Sequence, residues 1–119
     1  MIDEMLDKVA GLGVAGIVLA VAMATSGATG VYAVTAALSM LGGPFGGMIA
    51  GITMLGVIAM ISTLIAKFGI DKLVIMLVQR MVTKGTSKQK ILSDLSKKPW
   101  TIVLSKSLRR EIEEKINKA

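Results

Sequence analysis

Residues 9–66 read VAGLGVAGIVLAVAMATSGATGVYAVTAALSMLGGPFGGMIAGITMLGVIAMISTLIA, and none of these 58 residues is Asp, Glu, Lys or Arg. The chain has 119 residues, so about half of its length carries no charge. A soluble domain of this size has to cover its outer faces with charged and polar side chains. The stretch therefore predicts an all-α integral membrane protein built around a glycine-rich helical hairpin.

The length of the uncharged stretch allows two crossings of a bilayer, since one crossing takes roughly 20 mostly apolar residues. The segment GGPFGG at residues 42–47 divides it, because Gly42 suits the end of one helix and Pro44 the first turn of the next. Residues 44–66 then form the second crossing. The first arm, residues 9–41, would measure about 50 Å as one helix, which is too long for one crossing. Gly27 and Gly30 therefore either kink this arm or separate residues 9–24 from a short re-entrant piece, residues 31–41.

Small residues recur every four positions in both arms. The two sets are Gly43, Gly47 and Gly51 in the second arm, and Gly16, Ala20 and Ala24 in the first. Small side chains at i and i+4 let two helix backbones approach closely in lipid. The pattern predicts close helix packing, either between the two arms of one hairpin or between copies of the chain in a homo-oligomer.

The charged residues lie outside the uncharged stretch and differ in sign. Residues 1–8 carry three acids and one Lys, which is the wrong charge for a signal peptide. Residues 67–119 carry 13 Lys or Arg and 5 acids. The positive-inside rule then predicts that both termini are cytoplasmic. A second consequence is an anionic bilayer as partner, with nucleic acid disfavoured because acids interrupt the basic residues and no aromatic platform accompanies them.

Residues 67–82 have apolar side chains at helical intervals, which predicts an amphipathic helix at the membrane interface. The basic tail, residues 83–119, predicts a helix over 88–95 capped by Ser87 and a last, solvated helix over 106–117 capped by Ser105 or Ser107. The side chains expected at the membrane surface are Lys67, Lys72, Arg80, Lys84 and Trp100. Trp100 fits the core of a small helical module equally well.

The composition excludes most enzyme classes. The chain has no Cys and no His, so it has no disulfide, no thiolate and no zinc site. Its Ser and Thr hydroxyls lack a base, and no carboxylate pair is placed for acid–base work. We expect no catalytic residue, no metal and no cofactor.

Three glycine-rich segments carry a resemblance: TSGATG at residues 25–30, AAL at 36–38 and GGPFGGMIAG at 42–51. Together they resemble small glycine-rich bacterial membrane proteins of largely uncharacterised function and, more loosely, the interferon-inducible ISG12-type family. The resemblance implies a helical protein of a bacterial inner membrane, tied to membrane stress or anti-phage killing. It brings no catalytic residues.

Two functions follow from these patterns. The first is a self-associating membrane protein that perturbs or permeabilises a bilayer, as an effector, a toxin or a holin-like protein. The second is a membrane anchor or structural subunit whose basic tail docks a cytoplasmic protein. A helical protein that hides the uncharged stretch inside a larger complex is a further alternative.

Overall fold

The computed structural model describes residues 1–42, 48–49 and 52–119, and within these residues the fold is helical. The elements are α1 (Ile2–Ala10), α2 (Val14–Ala24), α3 (Ala28–Gly42), β1 (Met48–Ile49), β2 (Ile52–Thr53), α4 (Met54–Phe68), α5 (Ile70–Thr83), α6 (Lys88–Leu95), α7 (Trp100–Val103) and α8 (Lys106–Asn117). The two short strands form one antiparallel ladder, in which Met48 pairs with Thr53 and Ile49 with Ile52. The predicted all-helical class is confirmed apart from this ladder.

Helix α2 lies at the centre of the fold. Its sequence, VAGIVLAVAMA, is apolar on every side, and nine consecutive residues from Val14 to Ala22 are buried. A helix that is apolar all round has to be covered on all sides. Helices α1, α3, α4, α5, α6 and α8 all contact it. Elements from both the uncharged and the charged parts of the chain therefore share one core.

The first arm, residues 9–41, is divided rather than kinked, and it holds the end of α1, all of α2 and most of α3. The predicted unbroken span over residues 9–24 is wrong, because the chain bends at residues 11–13. Helix α2 ends at Ala24 and α3 begins at Ala28, and Gly27 between them has φ +86°, a conformation that glycine adopts readily. The two helices pack against each other over most of their length as a helical hairpin.

The lengths of the helices bear on the predicted membrane crossings. Among the described residues, no single helix combines the length and the apolar composition that a crossing needs. Helices α1 and α2 meet both conditions only as a pair, and they are bent by 112° at the break between them. The membrane hairpin stays a prediction.

The second helix starts later than the sequence pattern indicates. The predicted start at Pro44 is wrong, because Met48–Ile49 and Ile52–Thr53 are strands and α4 begins only at Met54. Three of these four strand residues are β-branched, a side-chain type that favours extended backbone over helix.

The amphipathic helix predicted over residues 67–82 is present as α5, preceded by Gly69 with φ +80°. Its buried face consists of Leu73, Val74, Leu77, Val78 and Met81. At its first turn, the Lys115 ammonium of α8 donates a hydrogen bond to the Asp71 carboxylate. This hydrogen bond and the positive charge of Lys115 hold the pKa of Asp71 below its ordinary value of 3.8.

The basic tail forms the predicted helices α6 and α8 with side-chain caps. Ser87 Oγ accepts a hydrogen bond from the Lys90 N–H at 3.1 Å, and Ser105 Oγ accepts one from the Leu108 N–H at 3.2 Å. The expectation that α8 is a solvated surface is wrong. Its residues Leu108, Ile112 and Ile116 are buried, because their spacing of four places them on one face, turned toward the core.

We expect Ile112→Ala to lower the free energy of unfolding by about 2–5 kcal/mol, since it removes a fully buried side chain and leaves a cavity. The exposed neighbour Arg110 is the control, and Arg110→Ala should change stability by no more than about 0.5 kcal/mol. Chemical denaturation of the two variants measures both values. Equal stabilities would show that α8 does not pack on the core.

Candidate functional site

The bend between α1 and α2 is made by three residues, Gly11, Leu12 and Gly13. Gly11 has helical dihedral angles, φ −64° and ψ −18°, whereas Gly13 has φ +69° and ψ −145°. An L side chain at Gly13 would be strained, because positive φ is disfavoured for residues with a Cβ. The direction of the chain therefore changes at Gly13.

Helix α1 is fastened to α5 by an ion-pair cluster of Asp3, Asp7, Arg80 and Lys84, here called the α1–α5 cluster. The Arg80 guanidinium lies between the two acids, with Nη2 at 2.7 Å from Asp3 Oδ1 and Nη1 at 2.7 Å from Asp7 Oδ1. The Lys84 ammonium lies 3.4 Å from the same Asp7 oxygen. One planar guanidinium thus bridges two carboxylates on successive turns of α1.

The electrostatics of the cluster favour the charged forms. The hydrogen bond to Asp7, and after it the one to Asp3, raises the pKa of Arg80 above its ordinary value. The Arg80 side chain is 28% exposed, Asp7 is 46% exposed and Asp3 is 87% exposed, so solvent screens the pair with Asp3 more strongly than the pair with Asp7. Beneath the cluster, α1 buries Leu6, Val9 and Ala10, which places apolar packing and ion pairing on adjacent faces of one helix.

This cluster was not predicted from the sequence. Arg80 and Lys84 are predicted to lie at a membrane surface, whereas in the structure both pair with acids of α1. A signal was present, since Asp3 and Asp7 are four residues apart and so are Arg80 and Lys84. Two helices with opposite charges at the same four-residue spacing can pair turn by turn.

The other side chains expected at a membrane surface have different environments. The ammonium groups of Lys67 and Lys72 lie 5.9 and 5.6 Å from the centre of the Phe68 ring, within cation–π range. Both lysines are exposed at the junction of α4 and α5. Trp100 is buried with 8% exposure, in agreement with the alternative of a core residue. The membrane-surface role of this set stays a prediction.

Two of the predicted packing and hinge glycines lie at close backbone contacts within the chain. A Cβ on Gly16 would come within 2.4 Å of the Val9 carbonyl oxygen, and a Cβ on Gly30 within 2.2 Å of the Thr25 carbonyl oxygen. Gly16 therefore lets α2 fold closely against the end of α1, and Gly30 does the same for α3 and the end of α2. Glycine is required at both positions because backbone atoms cannot move aside as a flexible side chain can.

The remaining small residues differ in position. Ala20 is fully buried in α2, Ala24 is exposed at its end, and Gly42 is the last residue of α3. The other predicted packing and hinge residues, Gly43, Pro44, Gly47 and Gly51, lie outside the described residues. Their packing and hinge roles stay predictions.

Helices α3 and α4 expose side chains without charge. Up to residue 66, these exposed residues are Thr29, Val31, Tyr32, Thr35, Ser39, Met40, Leu55, Ala59, Ser62, Thr63 and Ala66, here called the uncharged surfaces. Leu55, Val31 and Tyr32 are 78%, 68% and 63% exposed. Large apolar side chains this exposed, with no charged side chain on α3 or on α4 up to residue 66, are typical of a surface that contacts something apolar.

Three hydroxyls on the uncharged surfaces donate hydrogen bonds to their own helix. Thr35 donates to Val31 O at 3.0 Å, Ser39 to Thr35 O at 2.9 Å and Thr63 to Ala59 O at 2.9 Å. Each donor is therefore satisfied without water. Across the part of the chain that the structure describes, no group of three metal-ligating side chains comes together.

We expect Gly16→Ala to destabilise the fold by about 1–3 kcal/mol, because its methyl group would overlap the Val9 carbonyl oxygen. Gly11→Ala is the matched control, since Gly11 has helical dihedral angles and its nearest backbone oxygen would lie 3.3 Å from the added Cβ. Thermal unfolding followed by circular dichroism compares the two. A Gly16→Ala variant as stable as Gly11→Ala would contradict the close packing of α2 on α1.

Comparisons with protein-family models, with curated proteins and with solved structures give no match for this chain.

Proposed function

We propose that this chain is a non-enzymatic, membrane-active protein that binds a bilayer through its uncharged surfaces, self-associates there and perturbs the bilayer. The observation that carries the proposal is the separation of charge in the fold. Ion pairs join α1 to α5 and α5 to α8. On α3 and α4 the exposed side chains up to residue 66 are uncharged, and several are large and apolar.

The chemistry of the uncharged surfaces supports lipid as the contacting phase. A protein partner usually contributes polar groups that pair with polar groups across the interface. On these surfaces Thr35, Ser39 and Thr63 already donate to their own helix carbonyls. Hydroxyls bonded in this way enter hydrocarbon at lower cost than unpaired ones.

The net charge of the chain favours an anionic bilayer. The sequence carries a formal charge of +6, and basic residues near an anionic surface each contribute about 1 kcal/mol to binding. Lys67 and Lys72 are exposed at the end of the uncharged stretch, next to α4. If α4 contacted the hydrocarbon of a bilayer, Lys67 and Lys72 would lie at the level of the lipid headgroups.

The alternative, an anchor whose tail docks a partner, has weaker support. The tail helices use their apolar residues inside the chain: Ile91 and Leu95 of α6 and Leu108, Ile112 and Ile116 of α8 are all buried. The Lys88 ammonium further joins α6 to the end of the chain by donating to Asn117 O at 2.9 Å and Ala119 O at 3.1 Å. A tail that packs in this way offers a partner its outer charged face and the exposed side chain of Ile102 on α7.

We expect Val31→Lys and Leu55→Lys each to weaken binding to anionic phospholipid vesicles by about tenfold or more, because an ammonium group is costly to place in hydrocarbon. Val82→Lys is the matched control, since Val82 is an exposed apolar residue on α5, outside the uncharged surfaces. Vesicle co-sedimentation and dye release measure binding and permeabilisation. Because all three residues are exposed, the variants should fold like the parent protein.

Two results would contradict the proposal. One is a wild-type chain that neither binds anionic vesicles nor releases their contents. The other is binding that Val82→Lys weakens as much as Val31→Lys and Leu55→Lys, since that result would not assign the contact to the uncharged surfaces.

Self-association has its own test in cells. We expect induction of the chain to depolarise the cell membrane within minutes, and Gly47→Leu, expressed at the same level, to lose this effect because a bulky side chain at a small-residue position blocks the close approach of two chains. Membrane potential and chemical cross-linking are measured on the same cultures. If the parent protein and Gly47→Leu both depolarise the membrane, Gly47 is not needed for the effect. If neither protein does, the chain does not form a constitutive pore.

A further inference from the structure

On the basis of the proposed function, we propose that the α1–α5 cluster is a latch that keeps α1 folded back along α5. When the latch is released, α1 and α2 join into one membrane-spanning helix. Four observations support this inference: the length of the joined helix, the conformation of Gly13, the contact at Gly16 and the pairing of Asp3 and Asp7.

The lengths of the two helices differ from what a bilayer requires, but their sum matches it. Helix α2 has 11 residues and measures about 16 Å, roughly half the hydrocarbon thickness. A continuous helix over residues 2–24 would measure about 34 Å, which suits one tilted crossing. The pair together has the length and mean composition of a crossing, with its four charged residues all in the first two turns, and it is bent by 112°.

The bend lies at a residue that can change conformation. Joining the helices requires Gly13 to leave φ +69° for the helical region, and glycine populates both regions. Gly11 already has helical dihedral angles, and the Leu12 and Gly13 N–H groups already donate to Val9 O and Ala10 O at 3.1 and 3.0 Å. The α1 end of the break is therefore close to helical before any change.

The contact at Gly16 belongs to the bent arrangement. In this arrangement the Gly16 Cα lies close enough to Val9 that an added Cβ would meet its carbonyl oxygen. In a continuous helix the two residues would be seven positions apart, about 10 Å along the axis, and this contact would not exist. Both Gly13 and Gly16 thus permit the bend without preventing a straight helix.

The ion pairs of the α1–α5 cluster form in the bent arrangement and are absent from the straight one. Asp3 and Asp7 meet Arg80 and Lys84 only while α1 lies along α5, and a straightened α1 would carry both carboxylates away from them. The other charged side chains of α1, Glu4 and Lys8, are exposed. The apolar residues Leu6, Val9 and Ala10 of α1 are buried in the core of the bent form, and in the straight form lipid would cover them. The ion pairs therefore favour the bent form selectively.

Two variants should weaken the latch, and each has a matched control. Asp7→Asn removes the carboxylate that Arg80 and Lys84 share, and Glu4→Gln makes the same change at an exposed position of the same helix. Gly13→Ala strains the bent backbone and favours the straight helix. Gly69→Ala introduces the same strain elsewhere, since Gly69 has φ +80° and, like Gly13, open space at its Cβ position.

The joined helix is detected with one introduced thiol. The chain has no Cys, so Ala24→Cys places a unique thiol at the exposed end of α2. In the bent form this thiol reacts with a membrane-impermeant maleimide. Because Asp3, Glu4, Asp7 and Lys8 keep the N-terminus on the side of addition, a spanning helix over residues 2–24 would carry the thiol to the other side of the bilayer. With vesicles of phosphatidylglycerol, we expect protection from the reagent to appear about tenfold faster in Gly13→Ala. For Asp7→Asn we expect roughly three- to fivefold faster protection. Both control variants should match the parent protein.

Hydrogen exchange of the same proteins without vesicles measures the latch by itself. We expect the α1 amides to exchange faster in Asp7→Asn and Gly13→Ala than in Glu4→Gln and Gly69→Ala, with α8 amides unchanged. Equal exchange rates of the α1 amides in all four variants would overturn the inference that the cluster holds α1 in place.

The two measurements separate failure of the latch from failure of the proposed function. Protection that appears at the same rate in all variants would leave membrane binding intact and overturn the inference. A thiol that stays reactive in every variant would overturn the joined helix. If the parent protein in addition fails to bind the vesicles, the proposed function fails, and α1 exchange still decides whether the cluster holds α1.

Discussion

The burial of α2 is the constraint on which the rest of the structure depends. Eleven residues that are apolar on every side cannot be left in contact with water, and the uncharged stretch supplies too few polar residues to cover them. The chain satisfies this constraint by recruiting its charged segments, so that α1, α5, α6 and α8 each present an apolar face to the core and a charged face outward. One core therefore forms from parts of the sequence that look unrelated in composition.

This solution leaves part of the chain uncovered. Helices α3 and α4 also come from the uncharged stretch, and they complete the enclosure of α2 while exposing Val31, Tyr32 and Leu55. The chain has too few charged helices to shield every uncharged one. The exposed apolar residues are thus a consequence of how the core is built, and they provide the surface on which the proposed membrane function rests.

Few polar interactions hold the charged helices in place, and those few connect distant parts of the chain. Arg80 joins α5 to α1, and Lys115 joins α8 to α5. An apolar interface alone specifies the position of a helix loosely, because Leu, Ile and Val side chains can pack in several registers. Ion pairs with defined partners select one position, and they can be broken without unfolding the core.

The sequence by itself determined the features that depend on residues near one another. The helical class follows from the apolar periodicity, α5 from the spacing of Leu73 and Leu77, and the starts of α6 and α8 from the caps Ser87 and Ser105. Each of these signals acts within about one or two helical turns, which is why it can be recognised without knowledge of the fold.

Only the tertiary structure decided which surfaces meet. The pairing of Arg80 with Asp3 and Asp7, the burial of Trp100 and the inward face of α8 join residues far apart in sequence. In the sequence, Arg80 has the same appearance whether it faces a headgroup or a carboxylate, since both are oxyanions that a guanidinium binds. The difference is set by the bend at Gly13, which turns α1 back onto α5 and places its two acids within reach.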